Sequence, residues 1–371
     1  MPQPPLYFII LAFILAIGPL VFFHELGHYL VGRWFGIGAE TFSIGFGREV
    51  AGWTDKRGTR WKVGWLPLGG YVKFVGDMNA ASQPGDAGSD DPRAFQNKPV
   101  WQRFLVVLAG PAANFLLAIL IFAAFFGIFG KPATPSVVGV ITPGSAAEAA
   151  GILPGDHIVR IAGQSTDTFE DITRIVFIRP GERVRIDLER NDTPITVVAN
   201  LADVQDRDQF GQPYRKGLLG VGKSERVMTS LSAWQLVPEG ARYTYALTRS
   251  TIDGIGQIIG GRRSAKELGG PIKMAQIAGQ QASLGGFEFV QLLALFSINL
   301  GFINLLPVPM LDGGHLALYT IEAVRRRPVG EQAQEWAFRG GLALLLALLL
   351  FTTANDILSI GLFDRIGRLI G

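Results

Sequence analysis

The chain contains no cysteine in 371 residues. That excludes a disulfide framework and any thiolate metal site. Histidine is scarce, with four copies at His24, His28, His157 and His315. A metal would therefore rest on nitrogen and oxygen ligands drawn from a short roster. A strong excess of one charge is also missing. The formal net charge is +3, so charge alone gives no argument for a nucleic-acid partner.

Charge is absent in a second, local sense. No Asp, Glu, Lys or Arg occurs in Met1 to Phe23, Phe104 to Gly130, Phe289 to Leu311 or Gly340 to Asn355, the last extended by "ILSIGLF". Each run approaches or exceeds the roughly 20 apolar residues that cross a bilayer. Mean hydropathy is +0.29 and 48% of residues are hydrophobic, which suggests several spans plus water-soluble mass. The first run lacks a basic start and leads into "HELGH" rather than a small-residue cleavage site, so it reads as a span and not a signal peptide.

The expected fold is a polytopic α-helical membrane protein with four transmembrane helices, a cytoplasmic membrane-associated β-hairpin region and an inserted α+β domain. In order, the divisions are span one at 1–36, a β-hairpin and loop region at 37–100, span two at 101–130, the inserted domain at 131–202, a helical region at 203–287, span three at 288–311, a loop at 312–338, span four at 339–363 and a tail at 364–371. Basic residues cluster between spans one and two, from Arg48 to Arg103, and between spans three and four at Arg325, Arg326, Arg327 and Arg339. The positive-inside rule makes both loops cytoplasmic, the inserted domain extracytoplasmic and both termini external.

Within 37–100, "FSIGFGREVAGW" and "TRWKVGWLPLGGYVKFVG" alternate aromatic or β-branched residues with polar ones, as hairpin strands do. "AASQPGDAGSDDP" reads as an acidic, mobile surface loop. Further on, "PYRKGLLGVG" reads as another strand. "WQLVPEGARYTYALTRSTIDGIGQIIGG" reads as a surface helix, and "ELGGPIKMAQIAGQQA" as a linker or a substrate-contacting element.

His24 and His28 are four residues apart, so a helix places both imidazoles on one face within reach of one ion. Glu25 points elsewhere, free to face a metal-bound water. This is the H-E-x-x-H pattern of zinc hydrolases. A hydrolytic zinc takes three protein ligands and keeps a position for water. Asp312, in "NLLPVPMLDGGH", is a carboxylate at the end of an apolar run, and such carboxylates mark function. Spans one and three run the same way, so Asp312 and "HELGH" lie at similar depth. His315 is a rival ligand, placed instead behind the ligands or at the cytoplasmic surface. Pro307, Pro309, Gly313 and Gly314 are expected to break the helix around Asp312. Asn304 is a candidate donor to a substrate oxyanion, or an interhelical tether.

"GSAAEAAGILPGDHIVRIAGQ" resembles bacterial PDZ domains over roughly residues 135–201, which implies a groove for an extended peptide or a C-terminus. Together with "HELGH" and "NLLPVPMLDGGH", it resembles the site-2 protease family of intramembrane zinc metalloproteases, peptidase M50 type, in its bacterial RseP-like branch. The best-known members of that branch carry two PDZ domains, whereas this chain shows one.

The resemblance implies a zinc-dependent endopeptidase of the bacterial inner membrane, with one zinc per chain on His24, His28 and Asp312 and with Glu25 as base. Gly45, Phe46 and Gly47 would form a membrane-facing β-element that pairs with substrate. Implied substrates are transmembrane segments of membrane proteins, such as an anti-sigma factor trimmed by a first protease, or remnant signal peptides. The alternatives from other classes are a non-catalytic PDZ scaffold with a structural metal, and a metal transporter. A transporter is disfavoured, because one metal constellation is visible and no polar residues line a path across all four spans.

Overall fold

A computed structural model of the chain describes residues 4–76, 91–207, 213–224, 227–260 and 269–359. Most of the acidic "AASQPGDAGSDDP" loop and the tail expected at 364–371 lie outside the described residues. The chain divides into two compact units, one formed by residues 1–124 and 237–371 and the other by 125–236.

The first unit opens with helix α1, Leu6–Trp34. Two long strands follow, β1 at Ala39–Thr54 and β2 at Arg60–Phe74. Both bend so sharply that they act as four. Residues 41–44 pair on one side with 70–73 and on the other with 60–63, and 60–63 also pair with 51–54. The result is an antiparallel sheet of four short segments, with 70–73 at one edge. Helix α2 then runs from Val100 to Phe129 with Pro111 inside it. Tyr29, Phe42, Val72, Phe74, Phe95 and Val106 form one buried cluster that joins α1, the sheet and α2.

The second unit holds the short strands β3 (Lys131–Ala133) and β4 (Val138–Ile141), then helix α3 (Ala146–Ala149). Next come β5 (His157–Ile161), β6 (Gln164–Ser165), helix α4 (Phe169–Phe177), β7 (Arg183–Arg190) and β8 (Thr193–Asn200). The sheet order is β6-β5-β7-β8, all antiparallel. The β7–β8 turn uses Asn191 and Asp192, both at positive φ, as a two-residue primed turn requires. Alternating residues Val184, Ile186 and Leu188 face Ile158, Ile161, Ile172 and Ile175 in a conventional apolar core.

The unit does not end near residue 202. Strands β9 (Ala202–Arg207), β10 (Pro213–Leu218), β11 (Val221–Lys223) and β12 (Val227–Thr229) occupy the start of the segment expected to be helical. β11 returns to pair with β4, and β12 with β3. Leu219 is buried in the same core. These partners lie some 80 to 100 residues back along the chain, so short-range pattern could not place the strands in this domain.

The first unit resumes at Val237, within helix α5, Ala233–Ile259. This is a surface helix, with Val237, Tyr245 and Ile252 exposed, and it is tied to the bundle. Tyr243 meets Phe122 edge-on at 4.8 Å, and Thr251 Oγ1 donates to Asn299 Oδ1 at 3.4 Å. The presumed linker contains helix α6, Pro271–Leu284, whose Ala278 is buried with Ala12, Ala16 and Leu20 of α1. Helix α7 spans Gly286–Asn304.

Residues 312–338, expected as a loop, contain helix α8 (Asp312–Arg325) and the start of α9 (Glu331–Ser359). Pro307 and Pro309 do end a helix, because proline cannot donate to the turn before it. Gly313 and Gly314 do not, since they lie in the first turn of α8. A Cβ on Gly313 would sit 2.2 Å from the Leu306 carbonyl oxygen, and one on Gly314 would sit 2.5 Å from that of Val308. The glycines let residues 305–311 fold back onto the helix they lead into. Among the described residues, α1, α2, α7 and α9 are the helices long and apolar enough to cross a membrane.

Candidate metal centre

His24 and His28 project from α1 one turn apart, with ring centroids 4.9 Å apart and Nε2 atoms 3.3 Å apart. Asp312, the first residue of α8, faces both. Its Oδ2 lies 3.1 Å from His24 Nε2 and 3.6 Å from His28 Nε2. One ligand atom from each of the three residues falls within a 4.8 Å group. The position of Asp312 at a helix N-terminus also favours its negative charge.

The donor chemistry fits a divalent cation. His28 Nδ1 is 2.8 Å from the Val106 carbonyl oxygen, which can only accept. The proton therefore sits on Nδ1, and Nε2 turns a lone pair towards Asp312. Asp312 Oδ2 is buried and no hydrogen bond reaches it. Leaving a buried carboxylate oxygen so placed is costly, and a cation among the three atoms removes the cost. Two imidazole nitrogens and one carboxylate oxygen match the donor types of a catalytic zinc, which takes three protein ligands and keeps a position for water.

Glu25 lies beside this set and outside it. It is 8% exposed and packs against the sheet edge at Gly70. Gly70 permits that approach, since a Cβ there would meet Val21 Cγ1 at 2.6 Å and Glu25 Cγ at 3.1 Å. A cavity of about 400 Å³ opens over the group, lined by His24, Glu25, His28, Asp312, Phe46, Asn304 and the edge residues Gly69 to Val72.

The structure thus brings together His24, Glu25, His28, Asp312, Asn304 and Phe46. Asn304 Nδ2 is 3.4 Å from His24 Nε2. Gly45 and Gly47 do not line the cavity. They bend β1, with Gly45 against the Leu66 and Gly64 carbonyls and Gly47 under the Trp65 ring. The sheet edge at the cavity belongs to β2, and residues 42–44 of the "FSIGFG" segment lie inside the sheet with neighbours on both sides. His315 lines the cavity wall with its ring 5.3 Å from Phe338, apart from the three-ligand group.

Sequence reasoning missed several residues here. Asn114 on α2 is fully buried, with Nδ2 3.1 Å from His24 Nδ1. Gly110 receives the His28 ring, and a Cβ there would lie 2.2 Å from Nε2. Met310 adopts φ 82°, a left-handed turn two residues before Asp312, and lines the cavity. "GPAAN" carried a usable signal. A Gly-Pro pair inside a span marks a close approach or kink, and a lone asparagine there needs a partner. Beyond the cavity, Arg103 Nη2 bonds Glu322 Oε1 at 2.7 Å, and the Arg103 guanidinium lies over Tyr319, fixing α8 against the start of α2.

The geometry is that of a group able to hold a metal ion beside a buried carboxylate, within a bundle of apolar helices. Comparison with known proteins narrows the class. The profile of peptidase family M50 matches residues 12–348. A protein of Agrobacterium fabrum, provisionally named a zinc metalloprotease, is 46% identical over 363 residues, covering 95% of this chain and 96% of its own length. Metalloprotease MmpA of Caulobacter vibrioides is 37% identical over 392 residues, covering 97% of each chain. The solved PDZ domain of an SdrC-like protein from Listeria monocytogenes aligns with 24% of this chain and 87% of its own, at 18% identity and TM-score 0.19. This chain belongs to peptidase family M50, the site-2 protease family of zinc metalloproteases.

Proposed function

We propose that the protein is an intramembrane endopeptidase that cuts peptide bonds within or near transmembrane segments of other membrane proteins. His24, His28 and Asp312 would hold one zinc per chain. Zinc bound there acts as a Lewis acid and lowers the pKa of its water towards about 7. Glu25 takes a proton from the attacking water and delivers it to the leaving nitrogen. Asn304 Nδ2 donates to the carbonyl oxygen as negative charge develops on it.

A substrate helix hides its amides in its own hydrogen bonds and must unwind before attack. The β2 edge from Gly69 to Val72 lines the cavity, and among the described residues no further strand pairs with it. An unwound segment laid along that edge regains backbone partners, with Phe46 beside it.

The observation that carries this reading is Glu25, a buried carboxylate beside the ligand set but outside it. A closed structural metal site has no need of such a group. The basic loops support an inner-membrane orientation with the metal centre towards the cytoplasm and the PDZ domain and both termini outside. The setting we infer is regulated intramembrane proteolysis of a pre-trimmed anti-sigma factor or of remnant signal peptides, with a peptide or new C-terminus at the PDZ groove.

Glu25→Gln tests the assignment. Metal content by mass spectrometry should stay at one zinc per chain. Cleavage of a transmembrane substrate in proteoliposomes should fall by about 10² to 10⁴. Wild-type cleavage by this variant would reject the catalytic role and favour a scaffold with a structural metal.

A further inference from the structure

The two imidazoles are supported differently. Val106 holds His28 Nδ1 through a backbone carbonyl. His24 Nδ1 has a side-chain neighbour, Asn114, which comes from α2 and is fully buried. The remaining head atom of that amide, Oδ1, is buried and has no hydrogen-bond partner.

A carboxamide is nearly symmetric, and its two orientations have opposite consequences. If the NH2 group faces His24, Nδ1 must be the acceptor. The imidazole proton then sits on Nε2, aimed at Asp312, and that tautomer cannot ligate. If Oδ1 faces His24, it accepts from Nδ1–H. Nε2 then presents its lone pair between Asp312 Oδ2 and His28 Nε2, matching the state that Val106 imposes on His28.

α7 holds Asn114 from the other side. Ser297 Oγ donates to the Asn114 backbone oxygen at 2.8 Å, and a Cβ on Gly301 would lie 3.3 Å from Asn114 Cβ.

We propose that Asn114 is a positioning residue of the metal centre, the acceptor that fixes His24 in its zinc-ligating tautomer. The inference rests on the zinc reading above. It adds that α2, which contributes no ligand, sets the protonation pattern of both histidines, through Val106 and Asn114.

The test measures zinc affinity of the full-length chain in nanodiscs, by competition with a chromophoric chelator, for wild type, His24→Ala, Asn114→Leu and Asn114→Asp. Loss of an outer acceptor weakens metal binding about 10- to 100-fold, which is the result expected of Asn114→Leu. Asn114→Asp retains an acceptor oxygen and should bind within about threefold of wild type. Nitrogen NMR of histidine-labelled wild type should show His24 protonated at Nδ1, and Asn114→Leu should lose that signature.

Zinc binding by Asn114→Leu within threefold of wild type overturns the proposal. Equal weakening in both Asn114 variants, with a lowered melting temperature of the metal-free chain, also overturns it, because the side chain would then serve packing alone. His24→Ala separates the two levels. If it binds zinc like wild type, the metal-centre reading itself fails. If it loses zinc while Asn114→Leu does not, only the positioning role fails.

Discussion

The two units start their helices in different ways. In the second unit the caps are local. Thr168 Oγ1 accepts from the Asp171 N–H while the Asp171 carboxylate accepts from the Thr168 N–H, a complete capping box. Ser145 and Glu148 do comparable work for α3, through the Glu148 and Gly144 N–H groups. In the first unit, α1, α6, α7 and α8 follow Pro5, Gly270, Gly285 and Leu311, none with a side-chain cap. The free N–H groups of α6 are met from afar, where Asp356 on α9 accepts from Gly270 and Lys273 at 3.0 and 2.9 Å. A domain with water around it can satisfy a helix end with water or with the next few residues. Inside a bilayer the partner must be protein, and it can come from any neighbouring helix.

The strongest way to break this contrast is Asp356→Ala. Asp356 is fully buried, so its loss strands two N–H groups without water. At about 1–3 kcal/mol per unsatisfied buried group, the cost should be roughly 2–6 kcal/mol. The α6 amides should exchange faster in nanodiscs, and the melting temperature should drop. Asp356→Asn keeps an acceptor and should recover part of the loss. Unchanged α6 exchange in Asp356→Ala would mean that the remote cap carries no weight.

The same contrast decides what was legible in the sequence. "HELGH" could be read because the helix period alone puts His24 and His28 on one face. Asp312 could be read because a carboxylate ending an apolar run is rare. The spans announced themselves by length. Asn114, Gly110 and Asp356 could not be assigned, because each acts on a helix distant in sequence and nothing beside it says which. The same holds for β11, whose partner β4 lies about 80 residues earlier. Helices α6 and α8 do not stand out from a linker, a substrate-contacting element or a loop, because their mixed composition fits a helix shielded by neighbours as well as a coil. That Gly69–Val72 forms the cavity edge, while Gly45 and Gly47 stand back from it, is illegible for a similar reason. Both stretches are glycine-bearing strands, and only the fold decides which lies outermost.

An intermediate effect belongs to Asp156, in the Pro-Gly-Asp turn of the second unit. Burial alone would raise its carboxyl. Arg190, at 2.7 Å to each oxygen, and the Leu153 N–H, at 2.8 Å, outweigh burial and hold it below the ordinary value. A carboxyl depressed by folding adds stability above its unfolded pKa of about 3.9, and that stability is lost as pH falls through the lower folded value. Protection of the β5 and β7 amides, relative to the intrinsic exchange rate at each pH, should therefore stay flat from neutral pH to about 4 and fall below it. Asp156→Asn should cost about 1.5–3 kcal/mol at neutral pH and remove part of the acid step. An Asp156-dependent loss centred above about pH 5 would contradict the sign of the shift.

The smallest expected effect is the most discriminating. Thr168→Ala removes the hydroxyl that accepts from the Asp171 N–H and donates to Asp171 Oδ2, and leaves the Asp171 carboxylate on the Thr168 N–H, so half of the box survives. The cap position is partly open to solvent, and water can take the place of the hydroxyl. The cost should be about 1 kcal/mol, and Thr168→Ser should restore most of it. Faster exchange should be confined to the first turn of α4, with zinc affinity unchanged, because the metal centre is built from residues of the other unit. If Thr168→Ala cost as much as Asp356→Ala, the contrast between local and remote caps would collapse, and solvent access would no longer explain why one unit writes its helix starts into adjacent residues and the other does not.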